Sequence, residues 1–254
     1  MPLSADQLIP PPALLQEYAV TDEQFIQQGI GFVRGFLIPR TLLPPHGNIL
    51  DLGCGSGPSA RAWADYLSSE GSFDGLDISQ SAIDYCKVAY EPFGNFKFHH
   101  ANIFNEHYNP TATLRQADYR LPFEDGRFDL ISSVSLFTHL LPDDAQGYFK
   151  EVRRVLKPNG RFIATFFLLT AETLANIANP ARPAAFRFPE VHGSCRVMSL
   201  DDLAAAVAYP EVLVRETLRE CGLRVEETVY GSWSGEQSQL NAFQDIVTAS
   251  PREA

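Results

Sequence analysis

Apolar and polar positions alternate along this chain in two periods that take turns. Phe25, Ile26, Ile30, Val33 and Leu37 recur at helical spacing, which predicts a helix over about Thr21 to Leu37. Gly29, Gly31 and Gly35 weaken it, because glycine is a poor helix former. Pro44-Pro45-His46-Gly47 breaks the pattern, and Asn48 to Leu52 follows as a short, apolar, turn-bounded strand. From there helices are expected over Pro58–Leu67, Ser81–Tyr90, Asp143–Leu156 and Val212–Cys221, and strands over Phe73–Asp77, Phe96–Ala101, Asp129–Val134 and Arg161–Leu168. Strands near Leu223–Val229 and Ala242–Val247 close the chain. Ser81 with Asp84 reads as a capping-box-like helix start. Lys157-Pro158-Asn159-Gly160 reads as a helix stop.

Strands alternating with helices imply an α/β domain built on a mainly parallel, doubly wound sheet with helices on both faces. The whole chain, 1–254, is read as one domain, with 1–45 as an N-terminal helical cover behind a leader that Pro10-Pro11-Pro12 ends. Two connections are too long for simple alternation: Asn102–Gly126 and Leu169–Tyr209. Such connections usually serve as lids or pocket walls, and 169–209 is read as an inserted substrate-pocket or lid segment.

The balance of 45% hydrophobic and 20% charged residues is that of an ordinary globular protein, and 254 residues suffice for a large core. A net charge of -11 argues against nucleic acid as a partner, since a phosphate backbone would be repelled without a compensating basic stripe. The densest basic cluster, Arg153, Arg154, Lys157 and Arg161, fits a solvated helix face and its C-terminus. Cys54, Cys86, Cys195 and Cys221 form no metal-ligand spacing, so no metal is expected, and they read as reduced thiols of a cytoplasmic protein. Neither a signal peptide nor a membrane span is indicated, the longest apolar run being Phe162–Leu169. The expected partners are a small-molecule substrate and at most a second copy of the chain in a homodimer.

The chemistry is concentrated in Ile49-Leu50-Asp51-Leu52-Gly53-Cys54-Gly55-Ser56-Gly57-Pro58, an apolar strand that enters a helix through three alternate glycines. Glycine permits the sharp turn and lets a ligand approach without meeting a Cβ. Ligands of open α/β sheets lie beyond the carboxyl ends of the strands. A dinucleotide fingerprint would need Gly or Ala where Pro58 stands, and Pro58 lacks the amide that a pyrophosphate would use. Asp51 would repel phosphates but could hold an ammonium group. S-adenosylmethionine, cationic and without phosphate, fits this chemistry better than a nicotinamide dinucleotide. Asp77 ends the second strand about 24 positions after Gly53, near the spacing of an acidic residue that takes ribose hydroxyls.

Four segments in this order resemble the class I S-adenosylmethionine-dependent methyltransferases: Leu50–Gly57, Leu76-Asp77-Ile78-Ser79, Leu121–Asp129 and Val155–Arg161. The resemblance spans about Asn48 to Leu168. It implies a seven-stranded sheet with an antiparallel last strand and the cofactor, S-adenosylmethionine, over the ends of the first four strands. It implies that Gly53 and Gly55, with Asp51 and Cys54 beside them, line the methionine end, that Asp77 takes the ribose and that Ile78 packs on adenine. The adenine edge falls to Asn102 with Ile103 beside it, or to Asp118; the family often has Asp where Asn102 stands. Ser133, at the end of the fourth strand, completes the cofactor set.

The same resemblance sets Ser132–Leu140 facing the methyl group. The Asn/Asp-Pro-Pro-aromatic motif of methyltransferases acting on nucleic-acid bases is missing there, and Asn109-Pro110 reads as a turn. A small-molecule acceptor, methylated on oxygen or nitrogen, is therefore expected. His139 is the candidate general base, because imidazole titrates near neutrality. Phe137, His192, Tyr209 and Trp233 are candidates to line the acceptor pocket. The stretches Val229–Ser234 and Phe243–Val247 resemble bacterial small-molecule methyltransferases of unassigned substrate. Competing readings are a catalytically silent cofactor-binding module and a nicotinamide-dependent oxidoreductase.

Overall fold

The computed structural model describes residues 8–17, 21–106, 108–238 and 240–252. Most of the leader lies outside them. The chain divides into two compact units, Met1–Ala101 with Phe128–Ser132, and Asn102–Arg127 with Ser133–Ala254.

The first unit opens with α1 (Pro12–Glu17) and α2 (Asp22–Phe32). Thr21 and Gln24 cap α2 reciprocally, each side chain taking the other's backbone N–H. The helix expected to run on to Leu37 widens instead into a π turn at Val33–Leu37 and ends in α3 (Ile38–Thr41). The amide of Ile38 donates to Val33, five residues back, just before Pro39, which has no amide to continue the ladder. Gly29 has a packing role that helix propensity does not show. A Cβ built there would lie 2.0 Å from the Pro58 carbonyl oxygen, so only glycine lets α2 meet the chain at Pro58.

Four parallel strands follow: β1 (Asn48–Leu52), β2 (Ser72–Asp77), β3 (Phe96–His100) and β4 (Phe128–Ser133). β1 lies between β2 and β4, with Asp51 opposite Gly75 on one side and Ser132 on the other. α4 (Pro58–Ala64) joins β1 to β2, and α5 (Gln80–Ala89) joins β2 to β3. The cap of α5 is Ser79, whose side chain accepts from the Ala82 amide, and not Ser81. Phe73, Tyr90, Phe96 and Phe98 stack and tilt against one another at 5.1–5.8 Å between ring centroids.

In the second unit, residues 102–127 form isolated bridges, Ile103 to Leu114 and Asn105 to Asn109, and a 3-10 turn at Gln116–Asp118. Asn109-Pro110 is a turn, as expected. α6 (Pro142–Val155) passes straight into β5 (Leu156–Phe166). The expected stop at Lys157–Gly160 is thus part of a strand. Leu156 already has extended backbone, with ψ 133°, and Pro158 sits near the strand's beginning, where a missing donor is tolerated. Arg154 is not on a solvated face. Its guanidinium donates to the Leu121 and Phe123 carbonyls, Asp125 and Glu151, pinning the Leu121–Asp125 loop.

The long segment after β5 is structured: β6 (Leu168–Leu169), α7 (Ala171–Ala178), β7 (Glu190–His192), β8 (Cys195–Val197) and β9 (Val207–Pro210). Its strands make a small sheet in the order β6-β9-β8-β7. Phe167, Leu169, Ile177, Phe188 and Trp233 pack together as its core. α8 (Glu211–Glu220), β10 (Leu223–Val229) and β11 (Asp245–Pro251) complete the chain. The last strand begins three residues later than expected and is antiparallel to both neighbours, β10 and β5. The large sheet has seven strands in the order β10-β11-β5-β4-β1-β2-β3, the doubly wound α/β architecture that the sequence implies.

Candidate functional site

The glycine turn between β1 and α4 needs its glycines. Gly53, Gly55 and Gly57 have φ of +74°, +50° and +88°, a region that residues with a Cβ rarely enter. Gly53 and Cys54 donate their amides to the Leu76 carbonyl at 2.8 and 3.1 Å, and Gly57 donates to Cys54. Beneath the turn, the hydroxyl of Tyr90 donates to the Gly57 carbonyl, and the thiols of Cys54 and Cys86 both point at the Gly55 carbonyl at 3.7 Å. Burial pushes both thiols up, so they stay protonated packing groups and not nucleophiles.

Two carboxylates meet this turn. Asp77, at the tip of β2, accepts from the Gly55 amide at 2.7 Å and from the Ser79 amide at 2.8 Å. Its carboxylate is thereby oriented by backbone on both sides. Asp51 is buried and accepts from Ser132 Oγ at 2.9 Å. Burial pushes its carboxyl up to about 7, with the charge of Asp77 adding to the effect and the hydroxyls of Ser132 and Ser59 opposing it. Half-buried Ile78 follows Asp77, and its carbonyl meets His100 Nε2 at 3.1 Å. Asp51, Gly53, Cys54, Gly55, Asp77 and Ile78 are thus gathered at neighbouring strand tips of one unit. A turn with glycine at every second position beside a backbone-held carboxylate, with a second carboxylate behind it, fits a cationic adenosyl ligand without phosphate.

The remaining expected cofactor residues belong to the second unit. Asn102 is exposed, and its side-chain oxygen accepts from Asn109 Nδ2 at 3.0 Å. Ile103 is buried and bridged to Leu114, Asp118 is exposed on the 3-10 turn, and Ser133 is buried at the end of β4.

After β4 the chain makes a tight turn. Ser135 has φ +58°, rare outside glycine, and is held there by Thr165 Oγ1 on its amide and by the Gln244 side chain on its hydroxyl. A 3-10 turn at Phe137–His139 follows. His139 is half-buried, with Nδ1 2.9 Å from the Ala204 carbonyl oxygen, and the ring of exposed Tyr108 stands edge-on to it at 5.2 Å. Asn105 Nδ2 donates to the His139 carbonyl at 3.2 Å.

The other acceptor-side candidates divide by burial. Phe137 is fully buried, stacked on Phe149 and Phe166, and serves the core in place of the pocket wall expected of it. Tyr209 is also buried, and its hydroxyl reaches the Phe137 carbonyl at 2.9 Å and the Leu140 carbonyl. Trp233 is buried, with Nε1 donating to Asp245 at 2.8 Å. The polar atoms of Tyr209 and Trp233 therefore serve the protein interior. His192 is half-buried on β7, where its carbonyl receives the Cys195 thiol.

Asp245 escapes a reading of the sequence. Its buried carboxyl takes the amides of Leu168 and Gly231 as well as the Trp233 indole, tying three distant segments together. Burial still pushes it up to about 6. Asn105, Tyr108 and Ala204 are equally silent in the sequence, because each matters only through a contact with a residue 31 or more positions away. Among the described residues, no group of three or more His, Cys, Asp or Glu could hold a metal ion, and no helix is long and apolar enough to cross a membrane.

Residues 50–164 match a family described as a methyltransferase domain. The chain is 31% identical over 122 residues to a demethylmenaquinone methyltransferase of Lactiplantibacillus plantarum, covering 48% of this chain and 45% of that one. It is 27% identical to the O-methyltransferase resE of Aspergillus sclerotiorum over 71% of this chain and 56% of that one. The chain spans only 30–45% of the length of the first curated relatives it matches. Its fold is similar to that of a Burkholderia thailandensis 1,6-didemethyltoxoflavin-N1-methyltransferase solved with bound 1,6-didemethyltoxoflavin and S-adenosylhomocysteine, at 15% identity and TM-score 0.56, covering 96% of this chain and 93% of that one. Residues 50–164, the run that begins in β1 and ends in β5, thus match a methyltransferase domain, and together with the fold neighbours they support a class I S-adenosylmethionine-dependent methyltransferase.

Proposed function

We propose that this protein transfers the methyl group of S-adenosylmethionine to an oxygen or nitrogen of a small-molecule acceptor. The observation that carries the cofactor half is the Gly55 amide bonded to Asp77 at 2.7 Å, which joins the glycine turn to the carboxylate at the next strand tip. When bound, the cofactor supplies a methyl carbon whose bond to sulfur breaks as the acceptor's lone pair bonds to it. Gly53 and Gly55 line its methionine end with backbone, and Asp51 in its ionised form faces the cationic end. Asp77 accepts from the ribose hydroxyls. Ile78 packs on adenine, whose edge falls to Asn102 and Ile103 or to Asp118, and Ser133 closes the cofactor set.

On the acceptor side, His139 takes the proton that the acceptor sheds, and the segment 169–209 covers the pocket, with His192 facing it. The chain is one catalytic domain over 1–254, with 1–45 as its cover. It works in the cytoplasm, alone or as a homodimer. The demethylmenaquinone methyltransferase among its relatives and the fold neighbour that holds 1,6-didemethyltoxoflavin support a small-molecule acceptor over a macromolecule. The net charge of -11 supports the same choice against nucleic acid.

The test is calorimetric titration with S-adenosylmethionine, S-adenosylhomocysteine and a nicotinamide dinucleotide, followed by transfer of labelled methyl across a panel of hydroxylated and aminated ring compounds. Micromolar binding of the first two and transfer to at least one acceptor are expected. Binding of the dinucleotide alone would overturn the reading, and cofactor binding with no transfer to any acceptor would leave a silent binding module.

A further inference from the structure

We propose that Tyr209 is a positioning residue for His139: with the Ala204 carbonyl and Asn105 it fixes the turn so that Nδ1 keeps its hydrogen and Nε2 is the nitrogen that receives the acceptor's proton. The proposal rests on the function proposed above and names how its base is set.

The tautomer follows from the partner. A backbone carbonyl oxygen offers lone pairs and no hydrogen, so a ring nitrogen 2.9 Å from the Ala204 oxygen must be the one bearing hydrogen. A neutral imidazole carries one hydrogen, and the lone pair therefore sits on Nε2. This holds only while the ring keeps its angle to Ala204, which lies 65 positions further along the chain. Three contacts hold the turn that carries the ring. Tyr209 places its hydroxyl between the Phe137 and Leu140 carbonyls, on either side of His139. Complete burial pushes that hydroxyl well above the ordinary tyrosine range, so it remains a donor. Asn105 Nδ2 holds the carbonyl of His139 itself, while Asn105 Oδ1 takes the Tyr108 amide at 2.9 Å and so sets the ring that stands edge-on to the imidazole.

The arrangement also selects an acceptor class. A base is useful only to an acceptor that holds its proton near neutrality, which describes a hydroxyl on an aromatic ring and not a tertiary amine or a thioether. In the step, the hydroxyl proton passes to Nε2 as the oxygen's lone pair forms the bond to the methyl carbon and the carbon–sulfur pair returns to sulfur. The imidazolium, with Nδ1–H still on Ala204, then yields its Nε2 proton to solvent.

Long-range proton–nitrogen NMR of protein labelled with 15N-histidine reads the tautomer directly, with the His139 signals assigned by their loss in His139→Gln. At a pH where the imidazole is neutral, the wild type is expected to show Nδ1–H with a bare Nε2. Tyr209→Phe is expected to show both tautomers in exchange and about a tenfold fall in kcat on phenols and naphthols, with the KM for S-adenosylmethionine unchanged. Should Tyr209→Phe fail to fold, Asn105→Ala, one side-chain bond fewer on the same turn, serves the same reading. An Nε2–H tautomer in the wild type would overturn the proposal. So would an undisturbed tautomer in a folded Tyr209→Phe or, where that variant does not fold, in Asn105→Ala. The spectrum requires no acceptor, so its failure is distinguishable from a failure to find methyl transfer.

Discussion

The glycine turn after β1 and the histidine turn after β4 both place backbone and side chain for chemistry, but they are held from different distances along the chain. The glycine turn is fixed from nearby sequence: its clamps, Leu76, Asp77, Cys86 and Tyr90, all fall within 33 positions of the glycines they hold. The histidine turn has near clamps too, Thr165 and Asn105 at 30 and 34 positions, but it is also fixed from afar, by Ala204 and Tyr209 across 65 to 72 positions and by Gln244 across 109. A cofactor cradle of the first kind can be carried intact within one βαβ segment. A turn of the second kind depends on whatever the intervening chain builds, so the acceptor side can diverge while the cofactor side stays put.

The sharpest way to break this comparison is His139→Gln. Turnover is expected to fall about 10²-fold or more, as for loss of a general base, with cofactor Kd unchanged. A collapse of cofactor affinity in the same variant would show that the two turns are not separable. Asp77→Ala attacks the other turn. It is expected to weaken S-adenosylhomocysteine binding by about 1–3 kcal/mol in calorimetry, because ribose hydroxyls and the Gly55 amide both lose an acceptor.

A graded effect comes from pH. Asp51 is raised from 3.8 to about 7 and Asp245 to about 6, so each binds its proton more tightly folded than unfolded. The stability they contribute is fully present below about 4 and is lost as pH rises through 6 and 7. Urea unfolding of the free protein across that range should show the decline, and Asp51→Asn should flatten its upper part. Cofactor affinity should run the other way, strengthening as pH rises through 7, because only the ionised Asp51 attracts a cation. The smallest expected effect is Asn105→Ala, about 1 kcal/mol of unfolding free energy, with cofactor Kd untouched.

The same difference explains what the sequence disclosed. The strand–turn–helix from Asn48 onward, the alternation of elements and the acidic tip at Asp77 are local patterns, and each was legible as such. The burial of Phe137, Tyr209 and Trp233 was not. An aromatic residue in a long connection looks the same whether it faces a pocket or a core, and only the strands β6 to β9 and the carboxyl of Asp245 decide it. Arg154 shows the converse. A cation in the last turn of a helix suits solvent and dipole, yet here its partners are carbonyls some thirty residues upstream, which no periodicity reveals.

The sulfur atoms under the glycine turn have a practical outcome. Cys54 and Cys86 are sealed from solvent and kept in the unreactive thiol form, and Cys195 is buried as well, whereas Cys221 at the end of α8 is partly open. Burial pushes the Cys221 thiol up too, so a maleimide dye added to the native protein at mildly alkaline pH is expected to attach there first, giving a single-position fluorescent reporter of ligand-induced motion without any engineered cysteine.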